Sequence, residues 1–276
     1  MLDHHFLQIA FINGFFVSLA CGLVAFLLKV ISKSGLIGGV IFGTIIYGCT
    51  GWEGFLIPLT FVVIASLATK HGYAKKVAMG IAQEEGGKRG AKHALANILA
   101  GTIFAIFSFI FKDNLPLNVA LLTAMAGSFA TAAADTVSSE MGQIYGRTPI
   151  NPLTFKRVQP GTEGAVSTEG TLLGILASVI IAIVFITDSI ILKQFQSYFH
   201  PLELSANYFQ IVFLPAICII IGAFLGNIIE SLIGAIGKKL NNELLNFMNT
   251  LIGGAIAGKL FYVLLYLFFT EVCVIE

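Results

Sequence analysis

The chain has 276 residues, of which 57% are hydrophobic and only 11% charged, and its formal net charge is +1. A soluble globule carries roughly 25% charged residues, so this composition excludes a charged, water-covered surface and points to one polytopic membrane domain over residues 1–276. A near-neutral chain without a basic tail also excludes nucleic acid as a partner.

A spanning helix needs about 20 mainly apolar residues. Eight segments are candidates: 7–28, 35–50, 54–69, 94–111, 117–136, 169–192, 207–233 and 250–270. The predicted fold is therefore all-α, a membrane helix bundle of about eight spans. The first residues, Met1-Leu2-Asp3-His4-His5, lack the positive charge of a cleavable signal, so the first run is expected to be retained. The second and third segments are short and glycine-rich. Gly35, Gly38, Gly39, Gly43 and Gly48 have the spacing of small residues that let helices approach closely, or that let backbone approach a ligand. Cys21, Cys49, Cys218 and Cys273 form no CxxC pair and read as thiols in apolar surroundings.

Short loops rich in Lys and Arg stay in the cytoplasm. With eight spans, all of the 16 Lys and Arg except Lys112, Lys193 and Lys259 fall on one side. This predicts both termini outside, with polar segments 70–93, 137–168 and 234–249 at the cytoplasmic face of the inner membrane.

Those segments adjoin the residues that can carry chemistry. Asp135 and Glu140 stand at the end of the fifth span, and an acid in a membrane helix is costly enough to be a functional hypothesis by default. On a continuous helix Glu140 lies about 140° from Asp135, so the two meet on one ion only if the helix breaks or another helix intervenes. Asn227, Glu230 and Ser231, at i, i+3 and i+4, share one face of the seventh span. Hard oxygen ligands from two helices, completed by phosphates and water, suit Mg²⁺, and the metal set expected is Asp135, Glu140, Asn227 and Glu230. An interhelical hydrogen-bonded pair that only packs the bundle is the alternative. Lys156 and Arg157 precede a run in which Gly161, Gly164 and Gly170 permit close backbone approach and Thr162, Ser167, Thr168 and Thr171 supply hydroxyls. That run leads into the N-terminus of the sixth span, a natural phosphate site. Lys88 and Arg89 read either as topology signals that attract anionic lipid or as phosphate grips, with Asn97 one turn into the next span.

Ala134-Asp135-Thr136, Ser139-Glu140-Met141-Gly142, Lys156-Arg157-Val158, Pro160-Gly161-Thr162-x-Gly164-x-Val166-Ser167 and Gly170-Thr171 form a long pattern that resembles the DUF92 membrane family. Gly87-Lys88-Arg89-Gly90, Leu95-Ala96-Asn97 and Glu230-Ser231-Leu232-x-Gly234 extend the likeness over most of the chain. More distantly the pattern is similar to CTP-dependent polyprenol kinases and CDP-diacylglycerol synthases, with Asn227 where that wider group has Asp. The plant members of the family include phytyl-phosphate kinase. The resemblance implies a kinase that phosphorylates an isoprenyl monophosphate to the diphosphate with CTP or another nucleoside triphosphate. It implies Mg²⁺ held at Asp135, Glu140 and Glu230, and transferring charge held by Lys156, Arg157 and the N-terminus of the sixth span. The partners expected are a membrane lipid substrate and a nucleoside triphosphate, with a homodimer as an open assembly. A transporter or flippase of a small or lipid anion, and a CDP-lipid cytidylyltransferase, remain as alternatives.

Overall fold

The structure, a computed structural model, describes residues 4–80, 91–187, 207–236 and 241–274, with side chains at 7–80, 95–187, 213–236 and 241–267. Eight helices are present among them: α1 (His4–Leu27), α2 (Lys33–Lys70), α3 (Tyr73–Ala78), α4 (Ala91–Ile110), α5 (Leu115–Tyr145), α6 (Thr168–Ile186), α7 (Asn207–Ala235) and α8 (Asn242–Val274). Six of them are long and apolar enough to cross a membrane, and Leu95–Ile110 is a shorter apolar helix.

All eight expected spans are helical within the described residues, but two of them lie in one helix. A straight α2 of 38 residues would measure about 57 Å, nearly twice the hydrocarbon thickness of about 30 Å. It is not straight. Gly51, at φ 75° and ψ −172°, leaves helical geometry in a region open to glycine. Beyond it the Phe55 ring comes within 3.1 Å of where a Cβ on Gly43 would stand, twelve residues earlier. Lys70 Nζ then donates to the Leu28 carbonyl at 3.0 Å, so the chain has returned to the end of the bundle where α1 finishes. Segments 35–50 and 54–69 are thus the two arms of a helical hairpin. The expected glycine packing holds on the first arm at Gly43 and Gly48, where a Cβ would strike Ser18 and Phe11 of α1, whereas Gly38 and Gly39 stand in open space.

Helix α5 is the centre. Its apolar window is 89% buried, against 11% for α1. The second arm of α2 and helices α4, α6, α7 and α8 surround it. They pack closely because α5 and its partners are small-residue helices in which van der Waals contact replaces the hydrophobic drive. A Cβ on Gly127 would meet Ala257, one on Gly174 the Ala134 carbonyl, and one on Gly226 Thr131. Larger apolar side chains such as Phe16, Leu27, Ile37, Leu67 and Leu172 are exposed on the periphery, as a lipid-facing surface requires.

The polar segments are shorter than hydropathy suggests. The segment expected at 137–168 is helical as far as Tyr145, so the loop begins at Gly146. Within 234–249, helix resumes at Asn242, and within 70–93, α3 and the start of α4 are helical. The physical reason is common to all three. Ser, Glu, Met, Gln and Asn lower the local hydropathy without breaking a helix, and tertiary packing carries the backbone onward.

Candidate functional site

The contacts place the key elements at one end of the bundle. His71 bonds Tyr145 Oη at 2.7 Å and Lys75 Nζ donates to the Ile144 carbonyl at 3.3 Å, joining the end of α2 to the end of α5. Ser167 begins α6 beside Gly142, and Gly164 lies against Gly234 at the end of α7.

The loop between α5 and α6 is well defined. Ile150 exchanges backbone hydrogen bonds with Val166, each 2.9 Å, and also bridges Arg157. Asn151 Oδ1 accepts from the Leu153 and Thr154 amides at 2.9 and 3.1 Å. That turn presents Phe155 with φ 54°, followed by Lys156 and Arg157, both exposed. Gly161 and Gly164 have φ of 85° and 70°, so the left-handed turns need glycine here. Gly164 also has no room for a Cβ, which would strike the Ala235 nitrogen. Several hydroxyls expected to meet a ligand serve the fold. Ser167 Oγ caps α6 by accepting from the Gly170 amide at 3.2 Å, and Thr162 Oγ1 donates to the Gln159 carbonyl at 2.7 Å. Gly170 seats α6 on α5, where a Cβ would lie 2.6 Å from the Ser138 carbonyl oxygen. Thr171 is half-buried in the first turn of α6.

Beneath this loop, within the helices, lies a polar cluster. Asp135 is about 15 Å along α5 from Tyr145, and Glu230 about 8 Å along α7 from Ala235. Their carboxyl groups meet within hydrogen-bonding reach. Asn249 Nδ2, from α8, donates to Glu230 Oε2 and to Asn227 Oδ1 at 3.3 Å. Three helices thereby bring Asp135, Asn227, Glu230 and Asn249 together. Asn249 is 2% exposed, and its Oδ1 is buried without a hydrogen-bond partner. Ser231 meets the loop instead: its backbone carbonyl lies 2.8 Å from where a Cβ on Gly164 would stand.

Glu140 is elsewhere. Helix α5 runs unbroken through it, so the roughly 140° separation from Asp135 is kept. Its Oε2 pairs with Lys76 Nζ of α3 at 2.5 Å, with both side chains almost fully buried. Lys76 also donates to the Thr69 and Ala68 carbonyls at 2.9 and 3.3 Å, so all three of its protons are used. The arrangement separates Glu140 from the Asp135–Glu230 pair and gives it a structural partner. Lys156 and Arg157 reach neither pair in this conformation. Asn97 is buried and interacts with its surroundings, although its Oδ1 accepts no hydrogen bond. The seating of Gly101 on Phe129, with α4 and α5 running antiparallel, puts Asn97 at about the depth of Ala133. Lys88 and Arg89 lie outside the described residues.

Sequence reasoning misses Asn249 and Lys76. Asn249 falls in a segment that reads as loop. Its signal is an amide immediately before the apolar run 250–270, one turn ahead of Gly253-Gly254. Lys76 is one cation among several in a basic segment, and nothing in the sequence marks it as buried.

A cleft of about 330 Å³ opens beside the cluster-bearing helices, between the first turns of α4 and α8, lined by Leu95, Ala96, Leu99, Leu244 and Phe247 with Asn241 and Glu243 at its polar edge.

The model for the integral membrane protein family DUF92 matches residues 16–254. The chain belongs to that family. Protein VTE6, chloroplastic, of Arabidopsis thaliana is 33% identical over 233 residues, covering 82% of this chain and 64% of the relative, so the chain spans less than two thirds of that protein. Uncharacterised membrane proteins of Synechocystis (30% identical, covering 91% of this chain and 89% of the relative) and Methanocaldococcus jannaschii (31% identical, 85% and 87%) match at nearly full length. No solved structure matches the chain. This DUF92 chain is an integral membrane protein, and the family's long central motif maps onto the C-terminal half of α5, the loop after it and the start of α6.

Proposed function

We propose that the protein is a membrane-embedded kinase that converts an isoprenyl monophosphate of the phytyl type to the diphosphate, using CTP or another nucleoside triphosphate at the cytoplasmic face of the inner membrane. The observation that carries this reading is the Asp135–Glu230 carboxyl pair from α5 and α7, set inside an apolar bundle beneath a loop that bears Lys156 and Arg157. Family membership and the likeness to VTE6 support it.

Phosphoryl transfer asks a protein mainly for positioning and neutralisation of charge. An oxygen of the acceptor monophosphate forms a bond to the γ-phosphorus, the β–γ bridging P–O bond breaks, and the nucleoside diphosphate leaves. The acceptor is already anionic, so no residue need act as a base. Lys156 and Arg157 draw the donor phosphates to the end of the bundle, and Arg157 offers the planar fork that matches a phosphate. The apolar cleft between α4 and α8 suits the isoprenyl chain, with its polar edge toward the cytoplasm.

Among the described residues no three His, Cys, Asp or Glu side chains converge. The set at the cluster is instead two carboxylates and two amides, an all-oxygen donor set of the kind Mg²⁺ accepts alongside water and phosphate. The residues fit the ion: two carboxyl groups in contact require a shared proton or a cation between them, and Asn249 leaves a buried oxygen unpartnered. Bound there, Mg²⁺ would neutralise phosphate charge, and Asp135, Glu230 and Asn227 would hold it.

The test is turnover in detergent with an isoprenyl monophosphate and a γ-labelled nucleoside triphosphate. Label in the lipid diphosphate, with nucleoside diphosphate released, is the expected result. Release of pyrophosphate would make the protein a cytidylyltransferase, and anion uptake by sealed vesicles without nucleotide would make it a transporter.

A further inference from the structure

Asn249 belongs to the cluster but is not among the three residues assigned above to hold the ion. Its side chain is held at the junction of α5, α7 and α8, almost fully buried, and Gly226 makes room for it: a Cβ there would lie 3.0 Å from Asn249 Oδ1. As it stands, the NH₂ group points into the cluster, toward Glu230 Oε2 and Asn227 Oδ1, and the carbonyl oxygen is left without a partner. A buried acceptor left unpaired is costly. Turning the amide by 180° exchanges nitrogen and oxygen at almost no change in volume. The oxygen would then face two other acceptors, Glu230 and Asn227, with Asp135 behind them. Either orientation leaves a demand: nitrogen inward strands the oxygen, and oxygen inward gathers oxygens that a shared proton or a cation must reconcile.

We propose that Asn249 is a ligand of a divalent cation at this cluster, and that its NH₂ group occupies the cation's place until the ion binds and the amide turns over. The proposal rests on the metal reading above and extends it to a third helix. Four oxygens would then come from Asp135, Asn227, Glu230 and Asn249, and the remaining positions of an octahedral Mg²⁺ fall to water and phosphate. The NH₂ group acts as an internal competitor: a cation must displace its two hydrogen bonds, so a weakly held monovalent ion does not turn the amide.

The test measures binding, not turnover. Mn²⁺ serves as the probe, followed by the loss of its free-ion electron paramagnetic resonance signal on titration with detergent-solubilised protein and competed with Mg²⁺. The wild type should bind one Mn²⁺ that Mg²⁺ displaces, and Asp135→Asn should abolish the site. Asn249→Leu, which keeps the volume and removes the oxygen, should weaken binding by about ten-fold or more. Asn249→Asp should tighten it and make the melting temperature depend more steeply on the divalent ion. Should Asn249→Leu fail to fold, Asn249→Asp decides alone. Wild-type affinity in both variants, with Asp135→Asn still abolishing the site, would overturn the role of Asn249 and leave the metal reading in place. Absence of any Mn²⁺ site in the wild type would overturn both.

Discussion

Asp135 and Glu140 stand five residues apart on one helix and have opposite company. Glu140 meets a lysine, Lys76, whose ammonium is fully used by one carboxylate and two carbonyls. Asp135 meets a second carboxyl group, Glu230, whose other partner is an amide. The first pair is balanced in charge through Glu140 Oε2, although Glu140 Oε1 is buried without a hydrogen-bond partner. The second sets two carboxyl groups in contact, which a shared proton or a cation must balance, and the proposed metal site rests on that difference. An acid in a span is therefore informative only with its partner. By residue type and depth alone, both would be assigned to the same ion.

The sharpest way to break this contrast is to remove each acid in turn. Asp135→Asn should abolish Mg²⁺-dependent turnover while leaving the melting temperature without Mg²⁺ unchanged or higher, because it relieves a contact between like charges. Near-normal turnover at limiting Mg²⁺ would return Asp135 to a packing role. Lys76→Met should act the other way. It strands Glu140 as a buried charge, at about 3–5 kcal/mol of stability, and the double change Lys76→Met with Glu140→Leu should recover most of the loss. A double variant as unstable as the single one would show that the pair does more than balance charge.

Arg157→Ala should leave stability intact and weaken nucleotide binding and transfer by roughly ten- to a hundred-fold, the worth of a charged phosphate contact of about 1.5–3 kcal/mol. Arg157→Lys should recover part of it, and titration of nucleotide at saturating Mg²⁺ measures both. Ser167→Ala is the smallest of these effects. Loss of the α6 cap should cost about 1 kcal/mol and lower the melting temperature slightly, with the Mg²⁺ requirement unchanged. A changed Mg²⁺ requirement would bring Ser167 back to the ligand.

Asp135 and Glu230 are legible in the sequence because a carboxylate within an apolar run has so few benign explanations. The i, i+3 spacing brings in Asn227 as well. Glu140 is geometrically open at that level, and the unbroken course of α5 from Thr136 to Tyr145 is what separates it from Asp135. Asn249 and Lys76 are illegible for different physical reasons. Asn249 sits where polar residues lower the hydropathy of a helix that nonetheless continues, so the segment reads as loop. Lys76 carries the same charge as its exposed neighbour Lys75, and only the packing of α3 on α5 buries one and not the other. The hairpin at Gly51 is legible as two short spans, although not as a single bent helix, because a glycine-rich run does not announce which glycine turns.

The contact between Gly164 and the end of α7 has a mechanical consequence. With the loop backbone pressed against Ser231, Gly234 and Ala235, and its two sides tied through Ile150 and Val166, the segment that carries Lys156 and Arg157 is bolted to the helix that carries Glu230. A displacement of α7 along its axis therefore transmits to the cations above it, as a lever transmits to its far arm. The loop that bears the two cations and the helix that bears Glu230 are thus in direct contact, while Asp135 and Asn249 are held on α5 and α8.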